Sequence, residues 1–217
     1  MINRLRKEIT KTVKSNTRCL TLPDDEYTIM KYPKVIPLMA FNVKRYQLDG
    51  FGHLMLMHTR TKMGMELLTL SFMPNTCVNL PYLLVDAMSM KKKKCVFVEY
   101  YGCGNDNLND ARLQKVFEEY KSLPDYEEKE NWYIKERMPY SLIKSGEESE
   151  LIEMATKSVE AYLASVKGTE VDAEYGEKLK AFRERMIVEG NPSSTTLKLL
   201  LKEEGARKFM EELIMPI

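Results

Sequence analysis

Histidine is nearly missing from this chain, and most metal and nucleophilic chemistry goes with it. His53 and His58 are the only two in 217 residues. They stand an odd number of positions apart on what reads as one strand, so they point to opposite faces and cannot share a site. Cysteine is sparse too. Cys19, Cys77, Cys95 and Cys103 have no CxxC spacing. Neither a zinc site nor a disulfide framework follows, and they read as free thiols in a reducing compartment. Charge imbalance is also lacking: 33 basic against 32 acidic residues leave a net +1. That gives no pull towards nucleic acid or an anionic membrane. No apolar run approaches the ~18 residues of a spanning helix, and Met1-Ile-Asn-Arg-Leu-Arg-Lys7 lacks the apolar core of a signal peptide. The expected setting is cytoplasmic. Gly102-Cys-Gly104 has neither the Walker lysine nor the spacing of a dinucleotide loop.

What is present suits an ordinary globular chain, 44% hydrophobic, expected as one domain over residues 1–217. A short basic helix is expected over 2–15, then an irregular stretch punctuated by Pro23 and Pro33. Over about 38–101 the texture becomes short runs of β-branched, aromatic and methionine residues between turn signals. Asp49-Gly50 marks a hairpin, and Lys62-Met-Gly64 a weaker turn. The links are too short for crossovers, so the strands pair antiparallel. Helical periodicity takes over across about 107–217. Its stripes are Leu113, Val116, Phe117 and Tyr120; then Leu151, Ile152, Ala155, Val159, Tyr162, Leu163 and Val166; then Tyr175, Leu179, Phe182 and Met186; and finally Leu197, Leu200, Leu201, Phe209, Leu213 and Ile214. Ser145 with Glu148 reads as a capping box. Strands first and helices afterwards predict an α+β fold with helices covering the sheet.

Asp86 is the most informative residue. Alternation puts it on one strand face with Tyr82, Leu84, Met88 and Met90. A carboxylate in that company needs a partner, a solvated cavity or a raised pKa. Three readings stand: a proton donor facing a ligand pocket, a structural aspartate bonded to backbone, or a strand whose even face is simply exposed near its end. The methionines crowding the strands suit either a large flat ligand or ordinary gap-filling. Lys91-Lys92-Lys93-Lys94 is a candidate docking patch for an acidic partner, or simply a solvated turn. Trp132 with Tyr126, Tyr133 and Tyr140 reads as a packing cluster under a surface connection.

Two stretches resemble the ferredoxin-dependent bilin reductases. One is Leu67-Leu-Thr-Leu-Ser-Phe-Met-Pro74 followed by Leu80-Pro-Tyr-Leu-Leu-Val-Asp86. The other runs from Phe182 to Ile217 and includes Asn191-Pro-Ser-Ser-Thr-Thr-Leu-Lys-Leu-Leu200, Gly205-Ala-Arg-Lys-Phe-Met210 and Leu213-Ile-Met-Pro216. Together they span roughly a third of the chain. The resemblance implies an α/β/α sandwich with a central antiparallel sheet and a bilin pocket between the sheet and the C-terminal helices. It implies an open-chain tetrapyrrole ligand and electrons delivered singly by ferredoxin or flavodoxin. No organic or metal cofactor is implied. Asp86 matches the family's central carboxylate, the proton donor, and Thr69, Tyr82, Leu84, Met88 and Asn191 fall at ligand-binding positions. Two positions depart from the pattern. Thr69 stands where some members have histidine, and Pro192 where some have aspartate. Those losses point to a narrower reaction, a different tetrapyrrole, or a tetrapyrrole carrier that has lost catalysis; the remaining alternative is a packed scaffold with no bilin ligand and no cavity.

Overall fold

The computed structural model describes residues 1–91, 93–103, 110–165, 174–191 and 194–217. Among them, eight strands form one antiparallel sheet: β1 (Cys19–Thr21), β2 (Ile29–Tyr32), β3 (Met39–Leu48), β4 (Gly52–Thr61), β5 (Met65–Pro74), β6 (Tyr82–Met90), β7 (Lys93–Tyr101) and β8 (Leu142–Ser145). The order is β1-β3-β4-β5-β6-β7-β8, and β2 shares the outer edge of β3 with β1. Strands β3 to β7 form a meander, as the short turns require. Asp49-Gly50 closes the first hairpin with Gly50 at φ +70, a left-handed conformation that glycine adopts without strain.

The helices α1 (Ile2–Asn16), α2 (Ala111–Tyr120) and α3 (Glu148–Ser165) cover one sheet face, and α4 (Tyr175–Val188) and α5 (Ser194–Phe209) cover the other. The result is the α/β/α sandwich. Two separate cores follow from strand alternation. Leu54, Leu56, Leu68, Leu70, Val85 and Val98 face the first helix layer. Met55, Met73, Tyr82, Leu84 and Tyr101 face the second. Each helical stripe buries where its period directs: Leu151, Ile152, Ala155, Val159 and Tyr162 on α3, and Tyr175, Leu179, Phe182 and Met186 on α4.

Several boundaries differ from the sequence reading. The sheet extends beyond 38–101, because β1 and β2 lie in the proline-punctuated stretch and β8 lies inside the supposedly helical half. These strands are three or four residues long, too short to show alternation. The N-terminal helix is more than basic: Ile2, Leu5, Ile9 and Val13 form a buried stripe against α3, worth about 1.5–3 kcal/mol per side chain. Ser145 and Glu148 make no capping box. Ser145 ends β8, with its hydroxyl 3.4 Å from the carbonyl of Pro124, and Glu148 pairs with Lys94 at 3.2 Å. Helix α2 is capped by Asp110, whose carboxylate accepts from the Arg112 amide at 2.7 Å. The last helix is broken at Lys202 (φ +63), and its end widens into a π-turn over Met210–Ile214. Val166, Pro192, Lys92 and residues 104–109 lie outside the described residues.

Candidate functional site

The Leu80-Pro81 step that precedes β6 is clamped from both sides of the sheet. Tyr162 of α3 donates its hydroxyl to the carbonyl of Pro81 at 2.6 Å, and Tyr175 of α4 donates to the carbonyl of Leu80. Two buried phenols thus fix where β6 begins, and strand periodicity fixes the rest. Tyr82, Leu84, Asp86 and Met88 must share the α4/α5 face.

The C-terminal helices cover only part of that face. Tyr82 and Leu84 lie beneath them. The Ser71 hydroxyl, 3.1 Å from the Tyr82 hydroxyl, donates to the carbonyl of Ile214 and ties the π-turn to the sheet. Beyond that seal the sheet is open, and a cavity of about 500 Å³ lies over Thr69, Asp86 and Met88. Ligand pockets commonly hold roughly 300–1,000 Å³. Its floor includes Met57, Met65, Phe97 and Glu99, and its walls include Tyr126, Tyr133 and Arg137 of the segment after α2, with Thr196 and Leu197 of α5.

In this cavity Asp86 is half-buried. Its Oδ1 accepts the Thr69 hydroxyl hydrogen at 2.5 Å across the β5–β6 register, where Thr69 and Asp86 pair directly. Burial pushes the carboxyl up to about 6, against the lowering effect of the Thr69 bond. An acid poised near neutrality is what proton transfer at physiological pH needs.

A second carboxyl shares the cavity. Glu99, 1% exposed, lies on β7 and accepts from the Tyr101 hydroxyl at 2.8 Å and from Nε of Arg137 at 2.7 Å. Burial raises its pKa, opposed by Arg137. Arg137 also forks onto Glu128 at 2.5 and 2.8 Å. Although burial disfavours its charge, the hydrogen bonds to Glu128 hold Arg137 protonated, and Glu99 adds to this when it is ionised.

Of the residues expected at the ligand, Asp86, Thr69 and Met88 therefore line the large cavity. Tyr82, Leu84 and Asn191 meet instead at a crevice of about 10 Å³ behind Thr69, room for about one water. Asn191 uses its side-chain amide to bond the Met186 carbonyl at 3.1 Å. Glu99 and Arg137 are absent from the sequence reading. Glu99 has the parity of Phe97 and Tyr101 on its strand, so the signal for an inward carboxylate was there. Arg137 had none, because an irregular segment carries it. The expected aromatic cluster divides: Tyr126 and Tyr133 line the cavity, with Tyr126 edge-on to Phe97 at 5.2 Å, while Trp132 packs on Phe182 and donates its indole N–H to the Gly190 carbonyl at 2.9 Å, and Tyr140 joins Tyr100 in the core on the other sheet face. Of the lysine run, Lys93 borders the cavity wall, 4.5 Å over the Tyr126 ring; Lys91 and Lys93 are exposed, and Lys94 pairs with Glu148. His53 and His58 do face opposite sides, His58 buried at 3% exposure in the α1 layer.

No family model matches the chain, and no curated protein matches it in sequence. Its fold is that of the ferredoxin-dependent bilin reductases. Phytochromobilin synthase from tomato, solved in complex with biliverdin, matches 98% of this chain and 81% of its own, with a TM-score of 0.76 at 13% identity. PcyX matches over 100% and 99%, with a TM-score of 0.60, also at 13% identity. The resemblance seen in the sequence holds as a likeness of fold, at an identity that marks a divergent chain.

Proposed function

We propose that this chain binds an open-chain tetrapyrrole in the cavity over Asp86 and reduces it with electrons delivered one at a time, Asp86 giving a proton to the reduced ligand. One observation carries the reading: a half-buried carboxyl, pushed up to about 6, stands in the wall of a cavity of about 500 Å³ on the sheet face next to the C-terminal helices. Met57, Met65, Met88 and Phe97 give that cavity an adaptable apolar floor suited to a large flat ligand. Thr69 and Met88 contact the ligand, while Tyr82, Leu84 and Asn191 support the floor from behind. The electron donor is ferredoxin or flavodoxin, an acidic partner docking at Lys91 to Lys94, and the protein works in the cytoplasm as one domain over residues 1–217. A fully packed scaffold would leave no such cavity.

A second reading, a tetrapyrrole carrier without redox chemistry, is favoured by Thr69. Its one hydrogen is already given to Asp86, and threonine has no proton to release at neutral pH. Titration with biliverdin followed by absorbance, then anaerobic single-electron reduction, separates the two. A saturable red shift with turnover, lost in Asp86→Asn, supports the reductase. A shift with no chemistry under reductant supports the carrier. No shift with any linear tetrapyrrole removes both.

A further inference from the structure

Saturating one carbon–carbon double bond of a linear tetrapyrrole consumes two electrons and two protons. Asp86 accounts for one proton. We propose that Glu99 supplies the second, which makes the two inward carboxyls of β6 and β7 a proton-donating pair. This rests on the tetrapyrrole-reduction reading above.

The register places the pair. Asp86 is opposite Phe97, and Glu99 is opposite Leu84, so the two carboxyls are diagonal neighbours on one sheet face, ~7–8 Å apart at the backbone. Both line the same cavity. Glu127 and Lys129 also line the cavity, both exposed to solvent; the groups packed around Glu99 itself are Tyr101 on its own strand, Asp86 on β6, Glu128 from the loop after α2, and Arg137 and Tyr133 from the short 3-10 helix and its end. Among them a single cation serves two carboxylates. The guanidinium spends its two-pronged fork on Glu128 and reaches Glu99 at Oε1, where the Tyr101 hydroxyl also donates. With Arg137 and Glu128 neutral as a pair, an ionised Glu99 would leave an excess negative charge at 1% exposure beside Asp86. Protonating Oε2, which receives no hydrogen bond among the described residues, removes that charge without breaking any bond to Oε1. Glu99 thus holds a proton in the resting cavity, next to a second acid.

The chemistry balances as follows. The first electron from the one-electron donor protein gives the ligand radical anion, and Asp86 protonates it. The second electron gives the carbanion, and the Glu99 carboxyl hydrogen goes to carbon. The π bond is replaced by two new C–H bonds, two donor molecules are left oxidised, and both carboxylates regain protons from water.

The test uses the full chain with biliverdin and reduced ferredoxin under anaerobic conditions, followed by absorbance and electron paramagnetic resonance. Glu99→Gln keeps the shape and loses the proton. It should still bind biliverdin and form the radical, then stall, with the second step slowed roughly 100-fold or more and the one-electron species accumulating. Glu99→Asp should recover part of the rate. If Glu99→Gln fails to fold, the double variant E99Q/R137M, which removes the charge pair together, should show the same stall. Completion of the reduction at the wild-type rate by the folded Gln variant overturns the Glu99 role alone. Wild-type protein that binds biliverdin without reducing it overturns this proposal and the reductase reading together, leaving the carrier. Wild-type protein that does not bind biliverdin overturns all three.

Discussion

The hydroxyl of Thr69 lies 2.5 Å from Oδ1 of Asp86 and donates its hydrogen to it, directly across the β5–β6 ladder. A hydrogen bond to the charged form of an acid stabilises that form, so this contact restrains the upward push of burial. Thr69→Val keeps the shape and removes the donor. The Asp86 carboxyl should then titrate above 6, by up to about one pH unit for a bond worth roughly 1.4 kcal/mol. Carbon-13 NMR of the aspartate carboxyls over pH 4–9 would follow it. An unmoved or lower titration would refute the role assigned to Thr69.

Asp86 itself makes stability depend on pH. Its folded pKa of about 6 is above the ordinary aspartate value of 3.8, so the folded state holds the proton more tightly than the unfolded chain. That contribution is fully present below about pH 4 and is lost as pH rises through about 6. At about 1.4 kcal/mol per pH unit, the loss approaches 3 kcal/mol. Asn keeps the acceptor for Thr69 but has no charge. Asp86→Asn should therefore gain on the wild type by up to about 3 kcal/mol between pH 4 and pH 8. Urea unfolding at the two pH values checks this, and a difference that shrinks with rising pH contradicts it.

The Arg137 network is a buried charge cluster, and breaking such a cluster by removing one partner costs about 3–5 kcal/mol. Arg137→Met leaves Glu99 and Glu128 without their cation. Glu99, whose pKa burial already raises, then binds its proton more tightly still. The damage should be smaller at pH 6, where that proton is retained, and larger at pH 8. Adding Glu99→Gln should recover much of the loss at pH 8. Melting temperatures of the single and double variants at both pH values decide it. A single variant equally destabilised at the two pH values would show that Glu99 does not respond to its loss.

The meander and the helical stripes were legible because each carries a period: two for the strands that place Asp86 beside Met88, and near 3.6 for Leu151 through Leu163 on α3. Turn chemistry marked the β3–β4 hairpin at Asp49-Gly50. What could not be read has no period. Strands β1, β2 and β8 are three or four residues long and belong to the sheet only because β3 and β7 offer them an edge. Arg137 enters the cavity from an irregular segment, and its partner Glu99 is 38 positions away in the chain. Ser145 and Glu148 had the spacing of a capping box, but β8 claimed the serine and Lys94 the glutamate. Asp86 stood out because it was a lone carboxylate in an apolar run. Glu99 met the same criterion between Val98 and Tyr100, and parity alone would have found it.

Gly50 and Gly52 flank the same hairpin and should differ in how they tolerate a methyl group. Both have positive φ, +70 and +151. A Cβ at Gly50 would meet nothing within 4 Å, so Gly50→Ala carries only the left-handed backbone penalty of about 1–2 kcal/mol. At Gly52 the added carbon would lie 2.2 Å from the carbonyl oxygen of Met73 and 2.8 Å from the amide of Asn75. Those are backbone atoms at the end of β5, and they cannot swing aside as a side chain would. Relief requires β4 and β5 to part where Gly52 pairs with Pro74. Overpacking of about 1–3 kcal/mol therefore adds to the backbone strain, and Gly52→Ala should lose about 2–5 kcal/mol. Because β5 carries Thr69 and leads into the Leu80-Pro81 clamp, part of that loss should appear as a shifted Asp86 titration, which Gly50→Ala should leave in place. Urea denaturation of the two variants, with the carboxyl titration measured beside it, tests both statements. Equal losses would mean that the β4–β5 end yields more easily than its backbone contact implies.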